Sequence, residues 1–116
     1  MERTIRVTQE MIDRYGVING DNDIIHYDHD YAVKRGFRGT LAHGLMVLGY
    51  AVELATRKWG KDWHYRGEID VRFVGPVIPG DEVKIIIGDD GSLVAQVAAG
   101  ETMNETMIGR IGLRES

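Results

Sequence analysis

The segment from His43 to Trp59 most constrains the fold. Wound as a helix it is apolar on almost every side, with Glu53 its only acidic residue and Arg57 and Lys58 kept to the last turn before Gly60. Such a helix needs protein around most of its circumference. The chain is 116 residues long, room for one modest core and no second domain, so its own flanking segments must supply that cover. From His64 onward the apolar period changes to two: Ile69, Val71 and Phe73 face one way, Glu68, Asp70 and Arg72 the other. Pro76 and Pro79-Gly80 interrupt the alternation, and Glu82 to Ile87 resumes it. Asp90-Gly91 offers a tight turn into Ser92 to Ala98, and a last strand is expected over Thr106 to Leu113. The expectation is an α+β fold, an antiparallel β-sheet wrapped around a long central helix, with residues 1–116 forming a single domain. A sheet of this kind keeps a free strand edge, which a second copy would satisfy, so a homodimer or higher homo-oligomer is expected.

The N-terminal third is less regular. Thr4 to Val7 alternates like a short strand, and Thr8 suits the N-cap of a helix with Met11, Tyr15 and Ile18 on one face. Gly16, Asn19 and Gly20 weaken and then end that helix. Asn19 to Tyr27 has neither helical nor strand period and is placed in a loop. Asp28 caps a second short helix, with Asp30 in its first turn, Lys34 and Arg35 in its last, and Gly36 just beyond.

Composition removes several classes of function. The chain has no cysteine, which excludes a disulfide, a thiolate nucleophile and a sulfur-ligated zinc site. Its 14 basic and 18 acidic residues leave a net charge of -4 with no basic stripe, so nucleic acid is not an expected partner. The longest apolar stretch, Leu45 to Ala55, carries Glu53 and is too short to span a bilayer, so no membrane association is expected. The N-terminus alternates instead of forming a signal peptide, and a cytoplasmic location is expected. Asp21, Asp23, Asp28 and Asp30 fail the calcium-loop pattern, because Ile25 stands at a ligand position with no glycine after it. His26, His29 and His43 lack a suitably spaced fourth ligand for zinc. No metal and no prosthetic group are expected.

Two segments carry a specific pattern: Gly20-Asp21-Asn22-Asp23-Ile24-Ile25-His26-Tyr27-Asp28, and Gly36-Phe37-Arg38-Gly39-Thr40-Leu41-Ala42-His43-Gly44. They resemble the MaoC-like family of (R)-specific enoyl-CoA hydratases and acyl dehydratases, whose signature is roughly G-D-x-N-P-x-H-x-D followed by G-F-x-x-x-x-A-H-G. Arg72-Phe73, Pro76-Val77 and Pro79-Gly80-Asp81 resemble the family's next strand and turn. The resemblance implies a hot-dog fold, with the apolar helix as its filling, and reversible addition of water to a trans-2-enoyl thioester of coenzyme A or acyl carrier protein. It also implies that Asp21 and His26 hold the reacting water, that Gly44 supplies an oxyanion-hole amide, and that His43 and Asp23 support the site.

The residues suit that chemistry. Hydration needs a base for water and an acid for the α-carbon, and a histidine with a carboxylate can serve as both. A helix-start N–H is suited to the charge that gathers on the thioester oxygen. The sequence departs from the pattern at Asp23-Ile24, where the family has Asn-Pro, and the extra charge is expected to raise the pKa of Asp21 or His26. The chain is short for the family, which favours a short acyl group. Two other readings of the same fold stay open: a thioesterase that directs water at the carbonyl, and a non-catalytic acyl-binding or partner subunit.

Overall fold

The computed structural model describes residues 1–115. Five strands, β1 (Glu2–Arg6), β2 (Gly67–Phe73), β3 (Glu82–Ile87), β4 (Ser92–Ala99) and β5 (Thr102–Leu113), accompany four helices. The helices are α1 (Gln9–Asn19), α2 (His29–Lys34), α3 (Gly44–Trp59) and α4 (Lys61–Arg66), and a 3-10 turn spans Ile24–His26. The strands form one sheet in the order β1-β3-β4-β5-β2, every neighbour antiparallel. Strand alternation sets which side faces α3. Val83, Ile85 and Ile87 of β3 and Leu93, Ala95 and Val97 of β4 are buried against Met46, Val47, Ala51, Leu54 and Ala55 of α3. The molecule measures 48 × 35 × 19 Å, and its short dimension is one helix layer on one sheet layer.

The helix ends follow their residues. Thr8 Oγ1 accepts from Met11 N at 3.2 Å, and Gly20, at φ 73°, closes α1 in the left-handed conformation that glycine adopts without strain. Asp28 caps α2 by accepting from Tyr31 N at 3.0 Å. Several expectations are corrected or refined. Met11, Tyr15 and Ile18 line one groove beside α3 as expected, but Ile18 at its rim is 81% exposed, and the residues α1 buries are Ile12 and Gly16, the latter against the Tyr27 ring. His64 lies in α4, not in a strand. Gly60 breaks α3, the Trp63 ring stacks on Trp59 at 5.8 Å, and the strand begins only at Gly67, where a side chain would collide with Trp63. Phe73 keeps the side of the sheet expected for it, with its ring against the start of α3, but is still 49% exposed at the end of β2. Strand β5 starts at Thr102, before the expected Thr106, since Ala99 pairs with Thr102 across a turn containing Gly100 at φ 65°.

Helix α3 is covered on one side by the sheet and partly by α1, whereas Leu45 stays 57% exposed. One five-stranded sheet cannot enclose a helix that is apolar nearly all round. Strands β1 and β2 form the two edges of the sheet.

Candidate active site

Three short-range devices shape the loop between α1 and α2. Asn19 Oδ1 accepts from Asp21 N at 2.9 Å, Asp21 Oδ1 from Asp23 N at 3.0 Å, and Asp23 Oδ1 from Ile25 N at 3.0 Å. These successive Asx turns wind the chain into the 3-10 turn that ends at His26. They leave Oδ2 of Asp21 pointing at His26 Nε2, 3.1 Å away. The other ring nitrogen of His26 lies 2.7 Å from the Leu41 carbonyl oxygen. A carbonyl can only accept, so in the neutral ring Nδ1 carries the proton and Nε2 is a bare lone pair facing the carboxylate. At 3.1 Å the ring nitrogen and the carboxylate are already in hydrogen-bond contact when Nε2 carries a proton, and beside the neutral ring a water molecule can be bound alongside the pair, within reach of both acceptors.

His43, the residue before α3, is 3% exposed. Its ring stacks on His26 with centroids 3.9 Å apart, and Tyr15 packs at 5.1 Å. Its Nδ1 lies 3.4 Å from Asp21 Oδ2 without the alignment of a hydrogen bond. Its Nε2 is 3.4 Å from the Tyr27 hydroxyl, which donates its proton to the Asp21 main-chain oxygen at 2.6 Å. The structure thus brings Asp21, His26 and His43 together, while His29 lies apart among the residues of a groove with Arg38 and Pro79.

Electrostatics follow from these contacts. The Asp23 amide, more than the neighbouring imidazoles, holds the Asp21 carboxyl below the usual range against a smaller upward push from burial. This reverses the shift expected for Asp21: the Asp23 carboxylate is turned back to cap the 3-10 turn, and its main chain reaches Asp21 as a donor. Burial, then the charge of His26, pushes His43 down, which favours its neutral form. Tyr27 is pushed up by burial and by Asp21, so its phenol keeps its proton.

Gly44 opens α3. Among the described residues no side chain caps this helix, and its first amides, Gly44 and Leu45, have no hydrogen-bond partner. They present the positive end of a helix that spans Gly44–Trp59. A Cβ at position 44 would lie 3.1 Å from the Phe73 ring, so glycine lets that ring close on the helix start. Beside it is a cavity of about 350 Å³ walled mainly by apolar residues, among them Phe37, Leu41, Ala42, Gly44, Phe73 and Val77. Neither Asp21 nor His26 lines it; the Leu41–Gly44 segment, which carries the acceptor of His26, separates the pair from the cavity.

A supporting layer was not evident in the sequence. Gln9 Nε2 donates to the His26 main-chain oxygen at 2.9 Å, and buried Thr40 donates to Gln9 Oε1 at 2.5 Å. One amide therefore ties the start of α1 to both loops of the site. Arg38 pairs with Asp81 at 3.3 Å and Arg57 with Glu53 at 2.9 Å; Arg35 donates to the Tyr31 hydroxyl at 2.8 Å.

A family model described as a MaoC like domain matches residues 1–108. The chain belongs to the MaoC-like dehydratase family, and its α+β architecture is the hot-dog fold. Over 78 residues, 66% of this chain and 13% of the relative, it is 30% identical to peroxisomal multifunctional enzyme type 2 of Drosophila melanogaster. The chain thus spans about an eighth of that relative's length. The full-length structure of the same Drosophila protein matches 98% of this chain and 22% of its own with a TM-score of 0.77 and 23% identity. An (R)-hydratase from A. caviae involved in PHA biosynthesis matches 98% of this chain and 93% of its own, with a TM-score of 0.69 and 17% identity. No helix among the described residues is long and apolar enough to cross a membrane.

Proposed function

We propose that this protein adds water reversibly to a trans-2-enoyl thioester, giving an (R)-3-hydroxyacyl thioester, with Asp21 and His26 holding the water. The observation that carries this reading is that His26 Nε2 and Asp21 Oδ2 stand side by side at 3.1 Å while Nδ1 is committed to the Leu41 carbonyl, which leaves Nε2 as the nitrogen able to exchange a proton. A water bound beside the pair donates to Nε2 of the neutral ring, is oriented by the carboxylate, and keeps a lone pair for the β-carbon. His26 Nε2 takes a proton as the C–O bond forms, the carbon–carbon π electrons move toward the thioester, and the Gly44 N–H meets the charge on its oxygen. The imidazolium then gives its proton to the α-carbon, so one H and one OH have been added and His26 is neutral again. Asp21, ionised throughout, orients the water and stabilises the imidazolium. The thioester would come from coenzyme A or acyl carrier protein. The (R) configuration rests on family membership.

The test mixes purified protein with crotonyl-CoA and follows the conjugated enoyl absorbance together with free thiol. Loss of absorbance without thiol supports the hydratase reading. Thiol release supports a thioesterase, and no change across a panel of enoyl thioesters supports a non-catalytic subunit.

A further inference from the structure

Asp21, His26 and His43 bring a carboxylate oxygen and two ring nitrogens to one small volume. Oδ2 of Asp21 lies 3.1 Å from His26 Nε2 and 3.4 Å from His43 Nδ1, and ligand atoms of all three residues fall within 4.8 Å of one another. The protonation pattern makes this more than a cluster of suitable types. His26 spends its N–H on the Leu41 carbonyl. The only proton of the Tyr27 hydroxyl goes to the Asp21 carbonyl oxygen, so the oxygen it turns to His43 Nε2 is an acceptor. His43 Nε2 therefore carries the ring proton, and Nδ1 is left bare, buried and without a hydrogen-bond partner. Two imidazoles whose outer N–H groups are anchored on oxygen, with both inner nitrogens beside one carboxylate, share the way metal-binding histidines are held, although the rings now stack with centroids 3.9 Å apart.

We infer that this trio is a binding site for a divalent transition-metal cation of the zinc class, and that metal there blocks the reaction proposed above. Tetrahedral zinc with bonds of about 2.0–2.1 Å keeps its ligand atoms about 3.4 Å apart. The two contacts of Asp21 lie near that spacing, and metal binding requires the two stacked rings to spread from their 3.9 Å separation until both nitrogens point at the ion. Three protein ligands leave a fourth position for water, and the Asp21 side chain, 40% exposed, gives access from solvent. Neutral imidazole and carboxylate donors favour zinc, cobalt and nickel over magnesium or calcium. Since the ion takes the lone pairs that would orient the reacting water, it acts as an inhibitor. The metal site rests on the geometry alone; only the inhibition rests on the hydratase reading.

The experiment is a titration of the metal-free full chain with Co²⁺, read by the visible absorption of low-coordinate cobalt, followed by displacement with Zn²⁺. The expected result is one cobalt per chain, weakened at least tenfold in both His43→Ala and Asp21→Asn and unchanged in the His29→Ala/His64→Ala double variant, all folded by circular dichroism. Absence of binding at millimolar cobalt, or binding lost only in the double variant, overturns the site. A parallel enoyl assay expects Zn²⁺ to stop hydration and a chelator to restore it. Full hydration at zinc occupancy shown by cobalt displacement overturns the inhibition. A chain that binds cobalt through the trio but hydrates no enoyl thioester keeps the site and loses the hydratase reading.

Discussion

At the scale of single residues, the chemistry of the site depends on which nitrogen holds which proton. The Tyr27 hydroxyl fixes the Asp21 main chain by a 2.6 Å bond. A hydrogen bond of this kind contributes about 0.5–1.5 kcal/mol, so Tyr27→Phe is expected to lower kcat roughly two- to tenfold with KM little changed, by steady-state kinetics on an enoyl thioester. An unchanged kcat would leave Tyr27 a packing residue. That Asp21, His26 and His43 come together was legible in the sequence, because the two motifs that hold them keep particular residue types at a particular spacing. Gln9, Thr40 and Tyr27 were not, because they bond main-chain oxygens or one another, and such contacts leave no spacing rule. Asp23 was misread on charge alone: what reaches Asp21 is its amide, and only the folded loop shows that.

Elements carry the site through a few contacts that can be altered one at a time. Helix α1 accepts glycine at position 16 although alanine would ordinarily stabilise a helix interior by up to about 1 kcal/mol. A Cβ there would collide with the Tyr27 hydroxyl oxygen. Gly16→Ala is therefore expected to lower both the melting temperature and activity by displacing Tyr27; a stabilised, fully active variant would contradict that packing. Arg3 of β1 forms an ion pair with Glu53 of α3, and its guanidinium, ahead of the opposing effect of burial, holds the Glu53 carboxyl below its ordinary value. A carboxyl depressed in the folded state contributes stability above its unfolded pKa and loses it as pH falls through the folded one. Thermal melts between about pH 6 and about pH 3 should show this loss. Glu53→Gln should melt lower at neutral pH and fall less steeply toward acid; identical curves would remove the pair's contribution. Helix starts at Thr8 and Asp28 and the strand alternation of β3 and β4 were legible because capping and burial act locally. Helix α4 and the Thr102–Glu105 part of β5 were not, since a short helix lacks a period and exposed strand residues are held by pairing with β4.

At the scale of the molecule, one sheet on one helix leaves two strand edges and part of α3 open. Beside the β2 edge, Tyr65 is 76%, Phe73 49% and Val74 48% exposed, and a second copy paired along β2 would cover them. Sedimentation equilibrium is expected to give twice the 13.0 kDa chain mass, with Tyr65→Asp shifting it toward one chain. A wild-type mass of one chain at micromolar concentration would contradict this assembly. The central claim remains that Asp21 and His26 hold the reacting water, and kcat/KM for crotonyl-CoA hydration in the wild type, Asp21→Asn and His26→Ala tests it most directly. The account predicts a fall of about two to four orders of magnitude in each variant, the usual scale of acid-base catalysis, with circular dichroism unchanged. Wild-type rates in both folded variants would contradict it.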